Sequence, residues 1–495
     1  MIEARTTSDA DHARLLRRIR ALAERRSPAA PAEDPETSRA VVDRRRRRSG
    51  LLAARLAAAV EGELVDSPGG RVIRIDRPPG TLRVDRERLA GLPGQPAPDV
   101  PLVCLDTETT GLGTATGTLA FLVGLGWWVD DAFHQCQLLL PDHADEHALL
   151  AALRDALPSD CWLVTYNGRG FDWPLLVTRF RLERGHPPGL GGHLDLLPLV
   201  RALFRHRLSD ARLRTVESEL LGLRRSGDVD GWEIPGRYLG FLRDGEPSLL
   251  ADVVRHNHED VRSLARLLAH LADGLAVPER RPAAHPGDLA GLARLLARAD
   301  RADEALECLE LAVARPAFRA EPSRDHDERG LLGARASRVR QVPWWSPRAV
   351  ADIGGPVNAR REPASTPDRL DSAWTAERIE RERAHLLRRV GRVDEAVSAW
   401  RSIALRGGRI GALAWVEVAK IEEHVRRDPR AALDATDRGV TAATRLRAIG
   451  LPVRGLDRDL TRRRRRLADR IARASRRPTM KRRPGPAIRV LASAP

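Results

Sequence analysis

The sequence predicts an α/β domain with a mixed β-sheet flanked by helices, followed by an α-helical domain. Between about residues 100 and 275, apolar runs of strand length and helical periodicity follow one another as three strands, helix, strand, helix. Beyond residue 286, three stretches read as helix, short turn, helix. Charge divides the chain in the same way. Pro98 to Leu275 holds 17 Arg against 25 Asp and Glu, a net of −8, so the remainder carries +24 of a total of +16.

Taken in order, residues 1–60 are mostly charged with a helical pattern, interrupted by "SPAAPAEDPE" (Ser27 to Glu36) and by the arginine run Arg44 to Arg48. Residues 61–98 give short strand-like pieces such as "RVIRI" between Pro/Gly turns, so 1–98 reads as a basic, partly disordered lead-in. The α/β domain occupies 99–275. Its strands are "PLVCLD", "LAFLVGLGWW" and "AFHQCQLLL", then helix "DEHALLAALRDAL", strand "CWLVTY" and helix "DWPLLVTRFRLERG". Helical patterns follow in "SDARLRTVESELLG", "PGRYLGFLRDG" and "SLLADVVRHNHEDVRSLARLLAHLADGL". Residues 286–475 hold the hairpins "LARADRADEALECLELAVA", "HLLRRVGRVDEAVSAWRSIAL" and "AWVEVAKIEEHVRRDPRAALDATDRGV". A Pro/Trp/Arg-rich loop at about 321–367 separates the first from the others, and 476–495 reads as a disordered tail.

At 495 residues and 42% hydrophobic content the chain can fill two or three cores. No apolar run approaches the roughly 20 residues of a membrane span, and "MIEARTTSDADHARLLRRIR" has no signal-type apolar stretch. Cys104, Cys136, Cys161 and Cys308 form no CxxC pair and sit among apolar residues, as small core residues of a reducing compartment do. A cytoplasmic location is the expectation. Only Lys420 and Lys481 are lysines, so the basic charge is arginine, which a GC-rich genome also produces. The distribution of charge is the more informative feature: an acidic centre between basic arms suits a metal site served by phosphate-attracting extensions.

The acidic centre contains three motifs. "LVCLDTETTGLG" ends a strand with Asp106 and Glu108, two positions apart and therefore on one face. Bare, these charges repel; a cation or solvent must compensate. In "TYNGRGFDWPLL", Asp172 stands where a helix begins, as a ligand or as a helix cap. In "RHNHEDVRSLARLL", Asp260 lies within a long amphipathic helix, facing a site or solvent.

The order D-x-E, N-x-x-x-F-D, then an Asp on a late helix resembles the DEDD exonucleases of the ribonuclease H-like superfamily. Asp106, Glu108, Asp172 and Asp260 match its acidic positions, and Asn167 and Phe171 match the rest of the second motif. More narrowly, "LDTETTGL", "GTLAFLVGLG", "VTYNGRGFDWPLLVTRFRL", "HLDLLPLVR", "ESELLG", "DGWEIPGRYLGFLRDG" and "HNHEDVRSLARLL" resemble a YprB-type ribonuclease H-like domain over residues 100–275. The hairpins are similar to divergent tetratricopeptide repeats, which accords with that family and implies a possible protein partner. The resemblance implies a ribonuclease H-like fold and a metal-dependent nuclease, a 3′–5′ exonuclease on DNA or RNA, with two divalent cations, Mg²⁺ or Mn²⁺. It implies that Asp106 bridges both ions, that Glu108 and Asp260 hold the one that activates water, and that Asp172 serves the other through water.

One position departs from that pattern. The superfamily places Tyr four residues before the last Asp, or His five before; here His256 fills the tyrosine position and Arg255 the other. Residues four apart share a helix face, so His256 is expected to look into the same cleft and to orient or deprotonate a water, or else to lie idle on the surface. Thr107, Asn167, Phe171 and Trp232 are candidate nucleic-acid contacts. Trp232 is open to two readings, base stacking or a packing anchor. His193 and Asp195 are expected to begin an element beneath the cleft, Asp195 in a structural role. The runs Arg44–Arg48 and Arg462–Arg466 read as solvated charge that can touch phosphate. The rival to the enzyme is a nucleic-acid-binding protein, weakly active or inactive, that docks a partner through its helical repeats.

Overall fold

A computed structural model describes residues 49–111, 117–315 and 370–475 of the chain. The expectations for the first 48 residues (the Arg44–Arg48 run among them), the 321–367 loop and the 476–495 tail lie outside the described residues.

The strands are β1 (Glu63–Ser67), β2 (Gly70–Thr81), β3 (Leu102–Thr109), β4 (Ala120–Val129), β5 (Ala132–Leu139), β6 (Trp162–Thr165) and β7 (Gly192–Asp195). The helices are α1 (residues 49–59), α2 (Arg86–Ala90), α3 (Glu146–Ala156), α4 (Asp172–Leu182), α5 (Leu196–Phe204), α6 (Leu213–Glu219), α7 (Ile234–Asp244) and α8 (Ser248–Asp273). They continue as α9 (Pro286–Arg298), α10 (Ala302–Ala314), α11 (Leu370–Arg389), α12 (Val393–Leu405), α13 (Gly408–His424), α14 (Pro429–Ala448) and α15 (Arg454–Ser475). The chain divides into two compact units. One comprises residues up to Arg83, Val100–Asp195 and Arg225–Ala265; the other comprises Val84–Asp99, Leu196–Arg224 and Arg266 onward.

The first unit is built on one seven-stranded sheet in the order β1-β2-β5-β4-β3-β6-β7. Pairing is antiparallel from β1 through β3 and parallel from β3 to β6 to β7. This mixed sheet with flanking helices is a ribonuclease H-like fold.

The stretch before residue 98 is a correction to the sequence reading: β1 and β2 extend the sheet instead of forming an irregular lead-in. The reason lies in the edge. β1 covers only Gly70–Arg74 of β2, so the Pro78-Pro79 stretch of β2 pairs on one side alone, at a register shift between Arg77 and Gly80. Proline lacks the ladder N–H and is tolerated at such an edge bulge. Leu56 and Val60, in and just after α1, are buried in the same core as Ile73 and Ile75 of β2.

Helix α8 reaches the sheet across two glycines. A Cβ on Gly124 would stand 2.2 Å from Asn257 Oδ1, and one on Gly126 would stand 2.7 Å from Val261. Cross-strand partners share a face, and Asp106, Gly124 and Gln137 form one such row over β3, β4 and β5. The missing side chain at Gly124 is thus what brings α8 down beside Asp106. On α7, Tyr238 stacks on Phe121 of β4 with centroids 4.1 Å apart and planes within 5°, which fixes the segment leading into α7.

The second unit is helical, with α9 through α15 packing each on the next. The turns have the expected chemistry. Asp428 caps α14 by accepting from the Arg430 and Ala431 amides at 2.9 and 3.0 Å, and Gly391 takes φ +84° between α11 and α12. Three of the Arg462–Arg466 guanidinia are paired: Arg463 and Arg466 with the buried Glu423, and Arg464 with Asp437. The four cysteines are buried and free. No helix among the described residues is long and apolar enough to cross a membrane.

Candidate functional site

Three elements of the first unit bring the acidic motifs together. β3 ends in Asp106 and Glu108, α4 begins with Asp172, and Asp260 lies midway along α8. The carboxylates act on one another. Burial first, then the charges of Asp260, Glu108 and Asp172, raise the Asp106 pKa well above the ordinary carboxylate range. Glu108 is raised for the same reasons, by burial and then by Asp260, Asp172 and Asp228. Burial raises Asp172 to about 6 against the opposing hydrogen bond from Thr107. Such a set of hard oxygen donors, mutually repelling when bare, fits hard divalent cations.

Each carboxylate has a specific neighbour. Asn257 Nδ2 donates to Asp106 Oδ2 at 2.9 Å, while its Oδ1 accepts from Gln137 Nε2 at 2.8 Å. Gln137 in turn donates to the Val254 carbonyl at 2.8 Å. Asn257 is fully buried, so this amide network locks the Asp106 rotamer. Thr107, expected as a nucleic-acid contact, is buried, and its hydroxyl donates to Asp172 Oδ1 at 2.5 Å. That is a correction: its side chain holds a carboxylate. Asp172 is not the helix cap, because Phe171 occupies the cap position of α4.

His256 Nε2 stands 3.8 Å from Glu108 Oε1 and 3.7 Å from Asp260 Oδ2. Its other nitrogen, Nδ1, lies 2.7 Å from Asp228 Oδ1. Burial pushes the Asp228 pKa up, but the His256 hydrogen bond and the Arg225 charge outweigh it, and the net shift is downward. An ionised carboxylate only accepts, so in the neutral imidazole the proton belongs on Nδ1 and the Nε2 lone pair faces Glu108 and Asp260. Arg225 closes the group: Nη2 pairs with Asp260 Oδ1 at 2.6 Å and Nη1 lies 3.5 Å from Asp228 Oδ2. Neither Asp228, Arg225 nor Asn257 was singled out in the sequence. The one available signal was Asn257 beside His256.

The loop before α4 is held from β7. Asp195 accepts from the Asn167 and Arg169 amides at 2.8 and 3.2 Å, and the Thr165 hydroxyl pairs with His193 Nε2 at 2.8 Å. Burial, then the Arg169 charge, lower the His193 pKa to about 4. Asn167 is exposed with φ +71°, and Phe171 is half-buried. Trp232 is 73% exposed, so the packing-anchor reading is corrected. Its segment is anchored instead by the buried Val229 and Ile234.

Comparison with known proteins agrees with this architecture. Residues 103–272 match the RNase H superfamily family model, so the carboxylates, His256, Asp228 and Arg225 all fall within a ribonuclease H-like domain. Among curated proteins, the chain is similar to the uncharacterized protein YprB of Bacillus subtilis (strain 168). The two are 36% identical over 247 residues, which is 49% of this chain and 59% of the relative. The chain thus spans less than two thirds of the length of the curated relative it matches.

Proposed function

We propose that this chain is a metal-dependent nuclease that hydrolyses phosphodiester bonds of DNA or RNA as a 3′–5′ exonuclease. The observation that carries the reading is the gathering of four acidic side chains in one place. Asp260, Glu108 and Asp172 lie close enough for their charges to act on Asp106, Asp260 and Asp172 act on Glu108, and His256 Nε2 stands between Glu108 and Asp260. Clustered carboxylates with raised pKa values are costly to a fold unless a ligand uses them. Two cations, Mg²⁺ or Mn²⁺, held by Asp106, Glu108, Asp172 and Asp260, would offset charge on the attacking water and on the leaving oxygen. His256 Nε2 orients that water and accepts its proton, and Asp228 fixes the tautomer that leaves Nε2 free to do so. Asn257 and Thr107 hold Asp106 and Asp172 in place. Trp232 offers an exposed face for a base, and Asn167 and Phe171 flank the strand.

The helices of the second unit, read as tetratricopeptide-like hairpins, dock a protein partner in this proposal. A second reading, a nucleic-acid-binding protein of weak or no activity, draws on one contact, the 2.6 Å ion pair that Arg225 makes with Asp260. Incubation with end-labelled single-stranded DNA and RNA, with and without Mn²⁺, separates the two. Stepwise shortening from the 3′ end that needs Mn²⁺ and vanishes in Asp106→Asn supports the nuclease. Binding without cleavage by the wild type supports the rival.

A further inference from the structure

The second unit contains a separate cluster of metal-competent donors. His206, which follows α5, His285, the N-cap of α9, and Asp288, in the first turn of α9, each present one ligand atom within 4.8 Å of the other two. His206 Nε2 lies 2.9 Å from His285 Nδ1 and 3.2 Å from Asp288 Oδ1. Ligand atoms about 2.0–2.2 Å from a tetrahedral zinc ion stand roughly 3.3 Å apart, so both separations lie close to those of coordinated donors. We propose that His206, His285 and Asp288 form a three-ligand site for a borderline divalent transition metal such as Zn²⁺, with a fourth position open to water. The proposal does not depend on the nuclease reading.

Four features support it. The imidazole rings are stacked, with centroids 4.7 Å apart and planes at 21°, so both nitrogens are held in place without an ion. Glycine at 287 permits the approach, because a Cβ there would sit 2.4 Å from His206 Nε2. Asp288 is buried, and Arg207 grips it at both oxygens, Nε to Oδ1 at 3.1 Å and Nη2 to Oδ2 at 2.9 Å. That grip is the kind of outer partner that orients a ligating carboxylate. Finally, two donors crowd one acceptor: the Gly287 amide lies 3.0 Å from His285 Nδ1, and His206 Nε2 lies 2.9 Å from the same atom. Neutral Nδ1 has a single in-plane lone pair. A metal would take the His285 lone pair in place of the Gly287 amide, and one from His206 Nε2 once the His206 proton sits on Nδ1, so that neither imidazole has to lose its last proton. His285 is exposed, which leaves the ion a way in.

Two charges oppose a cation here, the Arg207 guanidinium and the positive end of α9. The site therefore binds more weakly than a closed four-ligand zinc centre. The imidazole pair also sets its selectivity, because nitrogen donors favour Zn²⁺, Co²⁺ or Ni²⁺ over Mg²⁺.

Titration of the full chain with Co²⁺, followed by visible absorption, tests the proposal. Tetrahedral Co²⁺ absorbs strongly, whereas Co²⁺ among carboxylates and water in six-coordination absorbs weakly. The expected result is a strong band saturating at one equivalent, bleached by stoichiometric Zn²⁺ and unchanged in Asp106→Asn. His285→Asn keeps a good cap acceptor and His206→Phe keeps the stacked ring; each should remove the band while the circular dichroism spectrum stays that of wild type. A wild type with weak absorption only, or a strong band that persists in both folded variants, overturns the site. Should one variant fail to fold, the other and the wild-type spectrum still decide. Loss of nuclease activity would leave the band untouched, so the two readings fail separately.

Discussion

The residues that do the chemistry in the proposed nuclease are fewer than those that aim them. Asp228 illustrates this, since its contact with the site runs through His256 Nδ1 at 2.7 Å. Asp228→Asn can present an N–H to Nδ1, which shifts the imidazole proton to Nε2 and removes the lone pair facing Glu108. Turnover should fall by about 10²–10⁴-fold, the contribution of a positioned base, while the Mn²⁺ dissociation constant stays within a few fold. Equal turnover in mutant and wild type, on a substrate that Asp106→Asn cannot cleave, would remove His256 from the proton path. Thr107→Val makes a different kind of prediction. The Thr107 hydroxyl lowers the Asp172 pKa against burial, so without it Asp172 should ionise at a higher pH than about 6. Because the site needs Asp172 charged, the acid limb of the pH–rate profile should move to higher pH. An unmoved limb would mean that Asp172 titration does not set it.

Single elements decide how close these groups come. The seat of α8 on β4 depends on Gly124, whose missing Cβ leaves room for an Asn257 carboxamide already held by Gln137 and Asp106. Gly124→Ala should destabilise by about 1–3 kcal/mol, the usual cost of overpacking, and should weaken Mn²⁺ binding because Asn257 can no longer hold Asp106. Gly240→Ala on α7 is the control. A Cβ there meets nothing within 4 Å, so removing a helical glycine should stabilise by about 0.5–1 kcal/mol. Denaturant midpoints compare the two, and equal effects would show that α8 is not seated through Gly124. The element scale also explains what the sequence disclosed. β3, β4 and β5 were legible because their apolar runs are long and nearly unbroken. β2 was legible only in its first half, "RVIRI", since its Pro-Pro-Gly stretch carries a turn signature and only tertiary pairing with β5 carries the strand on to Thr81. Likewise Asp106, Glu108, Asp172 and Asp260 stand in local motifs, whereas Asp228 and Arg225 enter the site from the segment before α7, through an approach that no local spacing encodes.

Across the whole molecule, the acidic cluster couples stability to pH and metal. Asp106, Glu108 and Asp172 all have folded-state pKa values raised above their ordinary ones, Asp172 from 3.8 to about 6. A carboxyl with a raised folded pKa binds its proton more tightly in the native state. Its stabilising effect is therefore complete below the unfolded pKa and is lost as pH rises through the folded one. Other carboxylates pull the opposite way, among them Asp228, whose pKa is lowered, so the cluster is isolated by difference. In chelator, the melting temperature of wild type relative to Asp106→Asn should fall as pH rises from about 4 through 6 and beyond, because the mutant has one repelling charge fewer. Mn²⁺ replaces the protons, so its stabilisation should grow with pH over the same window and be largely absent in Asp106→Asn. A wild-type-minus-mutant difference that is flat with pH in chelator, or an equal Mn²⁺ shift in both proteins, would mean that the four carboxylates do not act as one site.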